Sequence, residues 1–184
     1  MSIKGLEQAI TNLNSISTTA VPRASAQAVN RVATRAVNKS VSVVSKDTRV
    51  PRKLVKQRAR VRRATVKKPR ALIRVNRGNL PAIKLGTASV RLSRRKRDRR
   101  GANSVLRIGP FRFPGAFIQQ LKNGRWHVMR RTAKPRYPIE VVSIPLAVPL
   151  TTAFKDELPK LMETDIPKEL QASLKNQLRL ILKR

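Results

Sequence analysis

Arg60-Val61-Arg62-Arg63-Ala64-Thr65-Val66 is the stretch at which the chain changes character. Upstream of it, apolar residues recur at spacings of three and four. Ile3, Leu6, Ile10 and Leu13 trace one face of a short helix reaching about Ile16. Ser15, Ser17, Thr18 and Thr19 predict a polar break, and Pro22 suits the first turn of a new helix, where its missing N–H costs nothing. Ala28, Val29, Val32, Ala33, Ala36, Val37, Val41 and Val44 trace that second helix over about 22–46, with Arg31, Arg35 and Lys39 on another face and Asp47 and Thr48 ending it. Pro51 opens a brief helical turn through Gln57. From Arg60 onward the pattern is extended. Short β-like runs follow at 71–75, 82–85, 88–92, 104–108 and 124–131, with Asn76-Arg77-Gly78-Asn79 and Gly86-Thr87 supplying turn chemistry between them.

Working outward, Phe111, Phe113 and Phe117 bracket Pro110, Pro114 and Gly115, which predicts a structural corner. The Pro-rich segment 137–149 looks extended. Residues 150–162 return to helical spacing with a kink at Pro159, and Ile166, Leu170, Leu174, Leu178 and Ile181 define a final amphipathic helix with Asp165 near its start. The expected fold class is α+β: N-terminal helices, a central antiparallel β-sheet of about five strands with a long basic hairpin loop, and C-terminal helices. No linker or internal repeat divides the chain, so one domain is expected, with parts at 1–58, 59–149 and 150–184.

Charge is distributed unevenly over these parts. The chain carries 42 Lys and Arg against 9 Asp and Glu, a formal net charge of +33. Residues 8–139 hold 34 of those cations and only two acids, Asp47 and Asp98, whereas 140–184 carry seven bases and six acids and nearly cancel. A region this positive repels itself, and its natural neighbour is a dense polyanion or an acidic protein surface.

Enzymatic readings fare badly. There is no cysteine, which removes disulfides and thiolate metal sites. The one histidine, His127, makes no metal site alone. Metal-dependent nucleases need clustered carboxylates, and the basic half offers only Asp47 and Asp98. Asp156, Glu157, Glu163, Asp165 and Glu169 lie close together but read as helix-end charges and surface pairs with Lys155, Lys160 and Lys168. No phosphate-cradling loop is present, since Gly109-Pro110 and Gly124-Arg125 lack the pattern. No enzyme activity, cofactor, metal or small-molecule substrate is expected. The start shows no secretory h-region, and no apolar run approaches the roughly 20 residues of a membrane helix.

Polyanion binding fares better. Two stretches carry the candidate residues: the run Arg94, Arg95, Lys96, Arg97, Arg99 and Arg100, expected at a hairpin tip, and Arg58, Arg60, Arg62, Arg63, Lys67 and Lys68 within a stretch, 52–70, that holds ten bases and no acid. Arginine suits bidentate phosphate contact. Aromatics are only 3% of the chain, so the stacking platforms of single-strand readers are lacking and sequence-blind contact with the duplex backbone is favoured. For the 94–100 run the competing reading is a loop that is solvated or docked on acidic protein. In 52–70, strand alternation is expected to send some charges away from any one partner.

The segment Pro114-Gly115-Ala116-Phe117-Ile118-Gln119-Gln120-Leu121-Lys122-Asn123-Gly124-Arg125-Trp126-His127-Val128-Met129-Arg130 resembles the minor tail protein Z family of lambda-like tailed phages. Further matches are Ile3 to Ala9, Lys53 to Lys56, Val75 to Gly78, Ile144 to Lys155 and, in outline, Leu158 to Arg184, so the resemblance spans the chain; the 98–104 region is shorter than the family's Gly/Ser-rich tip. The resemblance implies a structural tail completion protein of the virion, assembled in the host cytoplasm. It would act at the head-proximal neck in head–tail joining, as a homo-hexameric ring that touches tail terminator or tube proteins, head connector proteins and the packaged duplex DNA. In that setting 94–100 and 52–70 are expected to face DNA, and the C-terminal helix and 135–149 to make subunit contacts. Two other readings compete: a free RNA- or DNA-binding protein, and an assembly factor docking on acidic connector proteins.

Overall fold

The computed structural model describes residues 4–91, 104–132 and 138–182. It is a mixed structure of long helices and small antiparallel sheets, divided into two compact units. The first comprises Met1–Val43, Lys56–Val75 and Leu150–Arg184; the second comprises Val44–Val55 and Asn76–Pro149.

The N-terminal helices run on without the expected break. Helix α1 (Lys4–Ser15) passes through a π-helical turn (Ile16–Ala20) into α2 (Val21–Thr48). Two effects keep the polar stretch helical. Ser and Thr hydroxyls bond back to carbonyls one turn earlier, Thr11 to Glu7, Thr18 to Asn14 and Ser25 to Val21, so they do not compete for the ladder. Pro22 has no N–H for the carbonyl four residues back and its ring crowds that position. The ladder widens just ahead of it, with the Val21 N–H donating to Ile16 O.

In the first unit α2 faces α4 (Ala147–Leu182), whose residues from Leu150 onward belong to that unit. The expected pair of C-terminal helices is one helix with Pro159 and Pro167 inside it. An internal proline costs about 3 kcal/mol through the lost hydrogen bond and the ring clash. Against that, the inward stripe keeps its three-and-four spacing straight through both prolines: Leu150, Ala153, Phe154, Leu161, Glu169, Ser173 and Gln177 are buried, and Leu158, Asp165 and Ile166 are half-buried. Val32, Ala36 and Leu161 form a core cluster, with Ile73, Leu158 and Ile166 packed on it. Ile73 belongs to a hairpin of β1 (Ala59–Arg62) and β2 (Leu72–Val75).

The second unit holds α3 (Arg52–Lys56), entered through Arg49, the one described non-glycine residue with positive φ, at 57°. The remaining strands are β3 (Leu80–Pro81), β4 (Ala88–Arg91), β5 (Val105–Ile108), β6 (Phe111–Pro114), β7 (Ala116–Gln120), β8 (Trp126–Arg131), β9 (Ile139–Val141) and β10 (Ser143–Ile144). In place of one central sheet of about five strands, the described residues form four small antiparallel sheets: β1–β2, β10–β3, β4–β5–β6 and β7–β8–β9. Single backbone bonds carry two of these ladders one position further, Gly115 N–H to Ser104 O past β5–β6 and Ala82 N–H to Val142 O past β10–β3. Leu80, Ala82, Leu106, Ile108, Val128 and Leu146 are all at most 2% exposed and form this unit's interior.

Two local expectations change. Residues 82–85 are a 3-10 turn, which suits buried residues three apart, Ala82 and Leu85. The expected aromatic corner is instead two strands: Phe111 and Phe113 stack along β6 with centroids 6.2 Å apart, and Phe117 on β7 lies beneath the Arg131 guanidinium at 5.6 Å. Strands β4 and β5 pair antiparallel, and the basic run 94–100 between them lies outside the described residues.

Candidate nucleic-acid interface

Cations of the first unit fall into two sets with opposite surroundings. Arg31, Arg35 and Lys39 repeat every four residues along α2 and meet the acids of α4. Arg31 reaches Glu169 at 3.0 Å, Arg35 reaches Asp165 at 2.9 Å and also Glu169, and Lys39 reaches Glu157 at 2.7 Å. The expected surface pairing within α4 is a minor feature: among the described residues Lys160 lies 4.0 Å from Glu157, and Lys168 adds a weaker charge effect on Asp165. These carboxylates are little exposed, between 11 and 20% of the side chain. Hydrogen bonds from Arg31 and Arg35 hold Glu169 and Asp165, and the close Lys39 ammonium holds Glu157, below their ordinary pKa range, against the opposing effect of desolvation, and the bond to Asp165 raises that of Arg35. Among the described residues no group of His, Cys, Asp or Glu is arranged to hold a metal ion.

The hairpin of β1 and β2 carries the other set. Residues 56–75 hold nine bases and no acid. The period of two turns Ala59, Val61, Ile73 and Val75 toward the unit's interior and leaves Arg60, Arg62, Leu72 and Arg74 exposed on the opposite face. Within β1 alternation does not scatter this charge, because apolar Val61 separates Arg60 from Arg62; Arg63 follows directly, past the end of the strand. Arg60 is the direct cross-strand partner of Arg74. Two like charges so placed, with Cβ atoms about 5 Å apart, destabilise a hairpin unless an anion lies between or over them.

What holds the hairpin in place is an amide. Asn30 of α2 donates from Nδ2 to Ala64 O at 2.9 Å and accepts from the Ala64 N–H at 2.7 Å. One side chain thus satisfies both backbone groups of a buried residue where the chain leaves β1. Beyond it, Thr65 and Lys68 exchange backbone bonds of 2.9 and 3.1 Å, forming a tight turn that presents Arg63, Lys67, Lys68 and Arg70 to solvent.

Of the candidate residues, the structure brings Arg60, Arg62, Arg63, Lys67 and Lys68 together on one exposed hairpin and its turn. Arg58 is half-buried and already interacts within the chain. Arg94, Arg95, Lys96, Arg97, Arg99 and Arg100 lie outside the described residues. Two residues join those on the hairpin and its turn: Arg70, inside the 52–70 stretch expected to face DNA though not named among its candidates, and Arg74, which sequence reading missed; the alternation of 71–75 carried a signal for Arg74, but its place beside Arg60 depends on strand register.

The second unit repeats the arrangement. In β4–β5–β6, Ser89, Arg107 and Arg112 stand side by side across the strands, all exposed, with exposed Arg91 on the same face. Arg107 directly opposes Arg112. The other face carries buried Leu106 and Ile108 and half-buried Phe111 and Phe113. Each unit therefore has a small sheet with one apolar face and one arginine face, and each arginine face has a like-charged pair at its centre.

Comparison with known proteins gives these surfaces a setting. A model of the prophage minor tail protein Z family matches residues 3–184. The chain belongs to that family. The tail completion protein of Escherichia phage N15 is 89% identical to it over 184 residues, and tail completion protein Z of Escherichia phage lambda is 59% identical over 192, with both chains covered in full in each case. No solved structure matches. The expected family is therefore the right one, and it is a family of phage tail proteins. Among the described residues no helix is long and apolar enough to cross a membrane.

Proposed function

We propose that the protein completes the phage tail at its head-proximal end, takes part in joining tail to head, and contacts the duplex genome without regard to sequence. Membership of the family, and relatives named as tail completion proteins, support the tail assignment. The observation that carries the DNA contact is the recurrence of directly opposed arginines, Arg60 with Arg74 and Arg107 with Arg112, on exposed sheet faces that have apolar backs. Such pairs are unfavourable alone and favourable beneath a phosphate chain, where bidentate guanidinium contacts replace repulsion and condensed counterions are released.

In this proposal the sites are Arg60, Arg62, Arg63, Lys67, Lys68, Arg70 and Arg74, the face Arg91, Arg107 and Arg112, and the run 94–100 that follows Arg91. The protein works as a ring, six copies matching a sixfold tail, between the tail terminator or tube and the head connector. Support for contact with neighbouring chains comes from α1, where Leu6, Ile10 and Leu13 are 58, 50 and 64% exposed along one face. Residues 5–22 contain no Lys or Arg, which leaves that face free of the repulsion that the rest of the chain sets up.

The test is a salt titration of binding to mixed-sequence duplex. The log affinity is expected to fall steeply with log salt, by about 0.9 per phosphate contacted. Replacing Arg94, Arg95, Lys96, Arg97, Arg99 and Arg100 with Ser is expected to flatten the slope by up to about 5 and to impair tail joining while the fold survives. A shallow slope in the wild-type protein would end the DNA assignment, and fully infectious particles from the variant would remove the run from it.

A further inference from the structure

The hairpin of β7 and β8 bears a feature that phosphate contact does not use. Its strands close with Gln120 opposite Trp126. The five residues between them are fixed by four hydrogen bonds: Leu121 N–H to Arg125 O at 2.9 Å, Gly124 N–H to Leu121 O at 2.9 Å, Arg125 N–H to Asn123 Oδ1 at 3.0 Å, and Gln120 Nε2 to Gly124 O at 3.0 Å. Gly124 sits at φ +74°, a conformation that a side chain would strain. On this fixed tip stands the chain's one tryptophan, 56% exposed. Two residues along the same strand face, Val128 is 1% exposed, so the face passes from a projecting indole to the unit's interior within one pleat. Lys122 and Arg125, in the turn that precedes Trp126, are exposed.

We propose that the 120–126 tip is a docking anchor: Trp126 enters an apolar pocket, rimmed by carboxylates, on a protein of the tail end that this chain completes. The inference rests on the tail assignment above and adds to it the contact residue and the chemistry of its receptor. An indole held on a rigid turn loses little conformational freedom on binding, which is why tryptophan is prominent among the residues that dominate interface energies. The turn's cations favour a rim of carboxylates and disfavour a second copy's basic face. Nucleic acid fits the tip less well. Duplex bases are already stacked, and reaching them costs a few kcal/mol per step opened. Single-strand readers lay successive bases on several aromatic rings, whereas the other described aromatics are half-buried (Phe111, Phe113, Phe117) or buried (Phe154).

The experiment uses tails purified from cells infected with a phage lacking this protein. Wild-type, Trp126→Gln and Trp126→Phe chains, each checked for an unchanged circular dichroism spectrum and melting temperature, are added and co-sedimented with the tails, and their affinity for labelled duplex and single-stranded DNA is measured in parallel. The expected result is that W126Q binds tails about tenfold or more weakly, W126F recovers part of the loss, and DNA affinity does not change. Equal tail binding by wild type and W126Q would overturn the anchor and leave the tail assignment standing. Loss of single-strand affinity in W126Q, with quenching of wild-type Trp126 emission by that strand, would overturn it in favour of a base-stacking site. Wild-type protein that leaves the tails bare would sink the tail assignment and the anchor with it.

Discussion

Helix pair α2–α4 and hairpin β1–β2 share one compact unit and treat arginine in opposite ways. On the helices every fourth residue of one strip, Arg31, Arg35 and Lys39, meets a carboxylate of the other. On the hairpin Arg60 meets Arg74. Both patterns follow from the periods of their elements, 3.6 and 2, acting on similarly basic sequence. The difference lies in where the acids are. Five of the chain's nine acids fall between Asp156 and Glu169, opposite α2, and none falls in 56–75. Within this unit the described ion pairs therefore lie between the helices, whereas the stretch that forms the hairpin carries no acid of its own.

The largest expected effect separates the two sets by ligand affinity. Replacing Arg60, Arg62 and Arg74 together with Ser should weaken duplex binding on the order of 100-fold near 0.15 M salt and lower the salt slope by about 2.7, if each contacts one phosphate. Replacing Arg31, Arg35 and Lys39 should change affinity little and lower the melting temperature instead. Filter binding and calorimetry on both triple variants test this, and an exchange of outcomes would break the distinction.

Acid offers the next test. The pKa values of Glu157, Asp165 and Glu169 are depressed in the folded chain. Their stabilising contribution is therefore present above the ordinary carboxylate pKa of about 4 and is lost as pH falls through that range to the lower folded values. Arg35, raised further, stays charged throughout. Melting temperature should drop on acidification below about pH 4 in the wild type, and less in a chain lacking Arg31, Arg35 and Lys39. Parallel curves for the two chains would show that the helix ladder is not what titrates.

Asn30→Ala comes third. It leaves the N–H and C=O of buried Ala64 without partners, at about 1–3 kcal/mol, or roughly 2–4 °C of melting temperature per kcal/mol for a chain of this size. Duplex affinity should fall with it, because the turn bearing Arg63 to Arg70 loses its attachment. Hydrogen exchange at Ala64 reads this directly, and unchanged protection would remove the amide from its role. The smallest effect is the most diagnostic. Arg60→Thr should raise the stability of the free protein by about 0.2–1 kcal/mol by relieving the cross-strand repulsion, even as it weakens DNA binding. A fall in stability would mean that Arg60 has a partner within the chain.

Much of this was legible in the sequence. The stripe from Ala28 to Val44 and its end at Thr48 were readable from spacing alone, as was the extended character of 60–62, 72–75 and 88–91. What escaped was long-range. Ser15 to Thr19 looked like a break because local propensity says nothing of hydroxyls that bond back within a helix or of a π-helical turn ahead of Pro22. Residues 150–162 and the stripe from Ile166 looked like two helices because the ion pairs that carry α4 through Pro159 and Pro167 come from another helix far away in sequence. The basic stretch 52–70 was found by composition, but its folding into a hairpin that pairs Arg60 with Arg74 needed a register that only the folded chain supplies. The acids of α4 were assigned to neighbours in sequence when their partners were neighbours in space.

Asn30 has a mechanical consequence as well. A polymer dragged along the arginines of β1 and β2 pulls sideways on a hairpin only four residues long in each strand. The two hydrogen bonds between Asn30 and Ala64 lie in parallel, so they would share that load and hand it to a 28-residue helix instead of letting the strands peel apart one rung at a time. If the proposed duplex contact holds, the hairpin would resist unzipping under such a pull, with the stiffness of α2 as its backing.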